Sequence, residues 1–394
     1  MTTIEISQDN FATYFSSDFN TASGTTFELT ENISFDNNKY CLCISKNSSF
    51  NGNNFTIDLS NNVTDGIFNV CSSEFSASSS EESPHIYNLG ILHGKTKKNA
   101  GFFMQKNSKF FSITNCHAVD GILEKKSGGI AGYGAGGIDG SCNIVNCSFN
   151  GSISPFEAGG IVGSYAGFSN GNCTITDCSS NGDIGRYSGG IVGSYAGYSH
   201  GSCFITGCNS SGNIYTNAGG IAGNCCGYNG FCNINSSYST GNIVGNDSGG
   251  IAASYTGYYN GICLIQNCYH SGNIALNSGG IIGSFSGYKS GKCVIQNCYS
   301  SAVIEEFTTG CGISSCKSGY SGELVLSNCY SFGTISNQPT STYNGSTSCN
   351  GNYSSHDISN GGDITILNEN ITSGGYSNSA NKYQLVIDGF PVLH

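Results

Sequence analysis

A Gly-Gly-Ile triplet recurs at Gly128-Gly129-Ile130, Gly159-Gly160-Ile161, Gly189-Gly190-Ile191, Gly219-Gly220-Ile221, Gly249-Gly250-Ile251 and Gly279-Gly280-Ile281, in steps of 31, 30, 30, 30 and 30 residues. Weaker copies stand at Ala100-Gly101-Phe102 and Cys311-Gly312-Ile313. A unit this short cannot bury an apolar face by itself. Neighbouring units must stack and share one core, so the chain is a repeat array rather than an ordinary globule.

Within each unit the residues form three short β-type runs separated by Gly, Asn and Ser. One run centres on Ile161, Ile191, Ile221, Ile251 and Ile281. A second places Ile two residues after Cys, as at Cys142 and Ile144, Cys173 and Ile175, Cys203 and Ile205, Cys232 and Ile234, Cys263 and Ile265, and Cys293 and Ile295. The third holds Ile153, Ile184, Ile214, Ile243, Ile274 and Ile304. Alternation of period two sends one set of side chains inward. With 58 glycines, helix is disfavoured at about 1 kcal/mol per site relative to Ala. Length changes fall between the runs: Tyr198 to Cys203 spans five residues and Tyr228 to Cys232 spans four. A turn absorbs such a change, whereas a strand would flip its side chains. The pattern predicts an all-β parallel β-helix, a β-solenoid of about 30 residues and three short strands per coil, capped at both ends. Propeller blades need about 40 residues and four strands each.

Four regions follow from where the period holds. Residues 1–40 are expected to cap the N-terminal end. Residues 41–126 read as irregular coils, with an exposed loop over 72–83, and 127–335 as the regular repeats. Residues 336–394 are a Ser/Asn/Gly-rich segment followed by a C-terminal cap over 364–394. Caps are required to cover the open core and block edge pairing.

Composition removes several function classes. Charged residues make up 10% of the chain, against about 25% in a typical domain. The net charge is −11, and Arg186 is the sole arginine. A phosphate backbone needs a basic face, so no nucleic-acid partner is expected. No apolar run is long enough for membrane insertion. The opening residues, MTTIEISQDNFATYF, show no signal peptide, which predicts synthesis in the cytoplasm. Yet there are 21 cysteines, an odd and high number more usual in exported proteins.

The repeats resemble the GLUG family, which joins a Gly-Gly-hydrophobic-x-Gly run to an Asn-Cys-Tyr-like turn. The matching segments are SGGIVG at 188–193, SGGIIG at 278–283, QNCYHSGNI at 266–274 and QNCYSSAVI at 296–304, with DGFPVL at 388–393 similar to the tail of such arrays. The resemblance is good over 99–335. It implies a right-handed parallel β-helix with an adhesive or structural role. Such repeats occur in bacterial surface proteins and in large DNA viruses of amoebae, and the missing signal peptide looks more like the viral group.

Candidate sites are columns of equivalent residues. Ile161, Ile191, Ile221, Ile251 and Ile281 form an expected core ladder with Cys173, Cys203, Cys263 and Cys293. A second cysteine column is Cys116, Cys147, Cys178, Cys208, Cys268, Cys298 and Cys329. Buried small apolar side chains, disulfides between coils and zinc are the readings for these columns; the first is favoured, because in-register parallel neighbours rarely have Cβ directions suited to a disulfide and zinc would want closer pairs and a His. The off-column Cys225, Cys226 and Cys349, with Cys41 and Cys43, are expected to be exposed. The first three are candidates for bonds between subunits. Phe168, Tyr198, Tyr228, Tyr258, Tyr288 and Tyr320 keep the hydroxyl in five of six copies. They form a candidate binding strip for glycan or a neighbouring subunit. Tyr165, Tyr195, Cys225, Tyr255 and Phe285 accept other residues and belong inside or at a corner.

Catalysis is not expected. A hydrolase needs paired carboxylates on one face, and Asp177 is replaced by Gly207, Asn267 and Asn297 in other coils. Glu305 and Glu306 are adjacent, and the histidines do not repeat, which places most of them in surface turns. No metal and no cofactor are expected. The reading is a non-catalytic structural β-solenoid that self-assembles, with itself or related solenoids as partner, into a virion coat, fibre or surface array. The alternative is an adhesin or glycan-binding module, and a polysaccharide lyase or hydrolase stands third.

Overall fold

The computed structural model describes residues 2–331 apart from 17, 18, 20, 37–39, 71–81, 154–155, 275–276, 302–311, 316–317, 320–321 and 328, with a few short strands beyond 331. It is an all-β parallel solenoid. Among the described residues, one sheet has 13 strands and a second has 14, and strands adjacent in space come from successive coils. No helix among these residues is long and apolar enough to cross a membrane.

The first sheet contains the Cys-x-Ile runs as five-residue strands, including Ser141–Val145, Asn172–Thr176, Ser202–Thr206, Phe231–Asn235, Ile262–Gln266 and Lys292–Gln296. Their register is in phase, so Cys142, Cys173, Cys203, Cys232, Cys263 and Cys293 lie directly above one another, as do the isoleucines two residues on. Both positions point inward and are buried, because alternate residues of a strand share a face.

The second sheet departs from the sequence reading. After the five-residue strand Ser148–Ser152 its strands shorten to two residues, as at Ser179–Ser180, Asn209–Ser210, Tyr238–Ser239 and Tyr269–His270, directly after the second cysteine column. The runs around Ile161 and Ile184 form no ladders. Gly159, Gly189, Gly219, Gly249 and Gly279 are joined coil to coil by isolated bridges, as are Ile184, Ile214, Ile243 and Ile274. The cause is close approach: a Cβ on Gly220 would strike the Gly250 carbonyl and the Ser239 side chain, so this wall is tight turns rather than pleated strand. Ile161, Ile191, Ile221, Ile251 and Ile281 are nonetheless fully buried.

A left-handed residue makes the corner between the two sheets: Asn146, Asp177, Gly207, Ser236, Asn267 and Asn297 have φ of 50°, 53°, 67°, 48°, 55° and 52°. Asn, Asp and Gly tolerate this region best. The asparagines also bond between coils, Asn146 Nδ2 donating to Asn115 Oδ1 at 2.8 Å and Asn267 Nδ2 to Asn235 Oδ1 at 2.9 Å.

At the N-terminal end, strand Thr2–Ile6 pairs with Thr25–Leu29 as the first rung of the first sheet. The single helical turn Phe11–Tyr14 folds over the core there. Phe11 stacks on Phe35, and Phe15 meets Phe35, Phe50 and Phe68 edge-on or tilted.

Candidate functional site

The two aromatic columns occupy one corner. Tyr165, Tyr195, Tyr255 and Phe285 all have left-handed backbones, with φ of 63°, 61°, 60° and 59°, and are half-buried. Ring centroids of Tyr165 and Tyr195 lie 4.8 Å apart at 19°, and those of Tyr255 and Phe285 lie 5.2 Å apart at 5°. Beside them, Tyr198 and Tyr228 are 5.3 Å apart, Tyr228 and Tyr258 5.1 Å, and Tyr258 and Tyr288 5.6 Å. Tyr258 and Tyr288 are stacked at 17°, whereas the Tyr198–Tyr228 and Tyr228–Tyr258 pairs are tilted at 36° and 45°, so each ring covers part of its neighbour. Burial lifts the Tyr165 hydroxyl to about 12 and raises those of Tyr195, Tyr228 and Tyr255 above their ordinary value, so all remain protonated near neutral pH. Phe168 joins the stack edge-on against Tyr165. Tyr320 lies outside the described residues.

The outer face of the first sheet changes character along the rod. The central outward position runs Asn143, Thr174, Phe204, Asn233, Leu264, Val294 and Val325. Two residues earlier in their strands, Phe231 and Ile262 also face outward. The Phe204 and Phe231 rings lie 5.6 Å apart, and Ile262 is 43% exposed. An apolar patch therefore covers the later coils, while the earlier ones are polar. Its rim is uncharged or neutralised: Gln266 bonds Gln296 at 2.7 Å, and Lys292 pairs with Glu323 at 3.0 Å.

The cysteine columns differ in chemistry. In the second column the thiol is hydrogen-bonded rather than merely packed. Cys178 Sγ donates to the Thr176 carbonyl at 3.2 Å and accepts the Cys147 N–H at 3.4 Å. Ser237 stands in the one odd coil and makes the same two bonds, to the Asn235 carbonyl at 2.8 Å and from the Cys208 N–H at 3.1 Å. The position requires a small group that both donates and accepts, which corrects the purely apolar reading.

The expected exposure of Cys225 and Cys226 is also corrected. Cys225 is 7% exposed and Cys226 fully buried, so neither offers a thiol to another subunit. Cys225 replaces a ring with a smaller side chain and sinks below its neighbours; burial raises its thiol to about 12. Cys226 turns into the core and is disulfide-bonded to Cys232 within the same coil. The side chain of Cys349 lies outside the described residues, although its backbone forms the short strand Cys349–Asn350.

A surface-turn position fails for His270, which is fully buried. It follows the second column by two residues and so points inward, where other coils carry Ser180, Ser210, Ser239 and Ser300. As for carboxylates, a cleft of about 360 Å³ lined by Ile153, Asp183, Arg186 and Tyr215 contains a single one. Glu157 pairs with Lys126 at 3.0 Å. Glu305 and Glu306 lie outside the described residues.

No family model matches the chain, and no curated protein does. Among solved structures, a Bacteroides ovatus protein described only provisionally as an immunoglobulin A1 protease aligns over 95% of this chain and 87% of its own, at 15% identity and a TM-score of 0.24. A likeness at that level carries no argument about activity.

Proposed function

We propose that this chain is a non-catalytic structural rod that self-associates through the outer face of its first sheet. The observation that carries this reading is that half-exposed Phe204, Phe231, Leu264 and Val294 and exposed Ile262 adjoin one another on the outer face of one sheet. A contiguous exposed apolar patch marks an interaction site. Two such sheets packed face to face at about 10 Å would bury it. With 10% charged residues, little repulsion opposes approach. The GLUG-like repeats favour the same class, and a virion coat, fibre or external surface array built from cytoplasmically made subunits is the assembly we propose. A glycan-binding strip is less well supported, because each tyrosine ring lies against its neighbours, tilted or stacked, and so has part of its face covered.

Asn143 and Asn233 occupy the Phe204 position in other coils, so Phe204→Asn and Leu264→Asn together keep a residue the fold accepts. Sedimentation velocity should show the wild type associating and the double variant monomeric. Equal association of both would refute the patch as the contact.

A further inference from the structure

Cys226 occupies a position that other coils fill with Ala135, Ala166, Ala196, Thr256 or Ser286, as the coil-to-coil bonds Gly167 N–H to Ala135, Gly197 N–H to Ala166, Gly227 N–H to Ala196, Gly257 N–H to Cys226 and Gly287 N–H to Thr256 establish. From this wall its side chain reaches the first cysteine ladder. A ladder alone sets sulfurs in single file, one per coil. Cys226 adds a sulfur from the side, and the sulfurs of Cys226, Cys232 and Cys263 lie within 4.8 Å of one another, all three residues buried. Among the described residues this is the group of three or more metal-ligating side chains that comes together.

We propose that this triangle, once the Cys226–Cys232 bridge is reduced, binds a soft monovalent ion, copper(I). Reduction by a dithiol transfers two electrons and two protons to the bridge. It yields the Cys226 and Cys232 thiols, and the dithiol leaves as its own disulfide. Copper(I) then forms bonds to thiolate sulfur and releases one proton for each thiolate formed, with no change in oxidation state. Soft thiolate donors select copper(I). Structural zinc takes four ligands, and the group supplies three. The dry surroundings disfavour bare thiolates, so a bound cation is what makes their ionisation tolerable there. Disulfide and metal-bound forms exclude each other, because they share two sulfurs.

The test compares the wild type with Cys226→Ala and Cys226→Ser, which restore residue types other coils carry at this position. Each protein is reduced with a dithiol, desalted without oxygen and checked by thiol count, 21 for the wild type. Each is then titrated with copper(I) against a chromogenic copper(I) chelator. The wild type should hold one more tightly bound copper(I) per chain than either variant, with unchanged β-sheet circular dichroism in all three. Equal copper uptake by all three would overturn the site. In a parallel titration with zinc(II), an extra equivalent held by the wild type alone, with no extra copper(I), would overturn the choice of ion.

Discussion

His270 should make the later coils acid-sensitive, and His270→Ser should remove that sensitivity. The imidazole is fully buried, no side chain among the described residues bonds either ring nitrogen, and the polar groups beside it are the Ser239 and Gly272 backbone. Burial lowers its pKa from 6.5 to about 4, opposed only in part by the nearby Ser239 and Gly272 backbone. A folded-state value below the unfolded one means the unfolded chain takes up the proton first. Stability is therefore full above about pH 6.5 and falls as pH drops toward 4. At about 1.4 kcal/mol for each tenfold change in proton affinity, the drop from 6.5 to about 4 corresponds to about 3 kcal/mol lost across that window. Serine fills this position in neighbouring coils, so the variant keeps a side chain the wall already accommodates. Urea unfolding of both proteins at pH 7 and pH 4 gives the test. Acid titration of carboxylates is common to both and cancels in the difference. The wild type should lose about 3 kcal/mol more than the variant on acidification. Equal losses would show that the ring is solvated or partnered and that the argument from burial is wrong.

Other perturbations probe other parts of the account. Ile221→Asp buries an unpaired carboxylate in the core and should cost more than about 4 kcal/mol, seen as early melting of β circular dichroism. Cys178→Ser should be nearly neutral, while Cys178→Ala, which leaves the Cys147 N–H unsatisfied, should cost about 1–3 kcal/mol by chemical denaturation. Gly220→Ala should destabilise the same region, because its methyl would strike the Gly250 carbonyl, and hydrogen exchange should quicken there. Native alkylation with peptide mapping should modify Cys41, which is only half-buried, before any other free cysteine among the described residues, and slowly, since burial lifts its thiol to about 12.

The stacking of coils was legible because it repeats: identical residues thirty apart, with length changes confined to turns, leave little choice but parallel rungs. The inward Cys and Ile of the first sheet follow from strand alternation alone. What escaped depends on contacts between coils or on breaks in a column. The bonding role of Cys178 appears only when the Cys147 N–H of the neighbouring coil is placed against it, although Ser237 in the same column was a visible hint that polarity matters there. His270 looked like a lone surface histidine, yet it stands two residues after Cys268, and alternation from that buried cysteine points it inward. Cys226 looked exposed because it lies off both cysteine columns. Its own column, Ala166 and Ala196 followed by Thr256, is small and buried, which was the signal of its true position. The apolar patch was missed because Phe204, Leu264 and Val294 vary in type, and only the register of the sheet aligns them.

Self-association is the central claim, and native mass spectrometry over a range of protein concentrations tests it most directly. The account predicts multiples of the 41.0 kDa chain that grow with concentration. A single 41.0 kDa species at every concentration would contradict it.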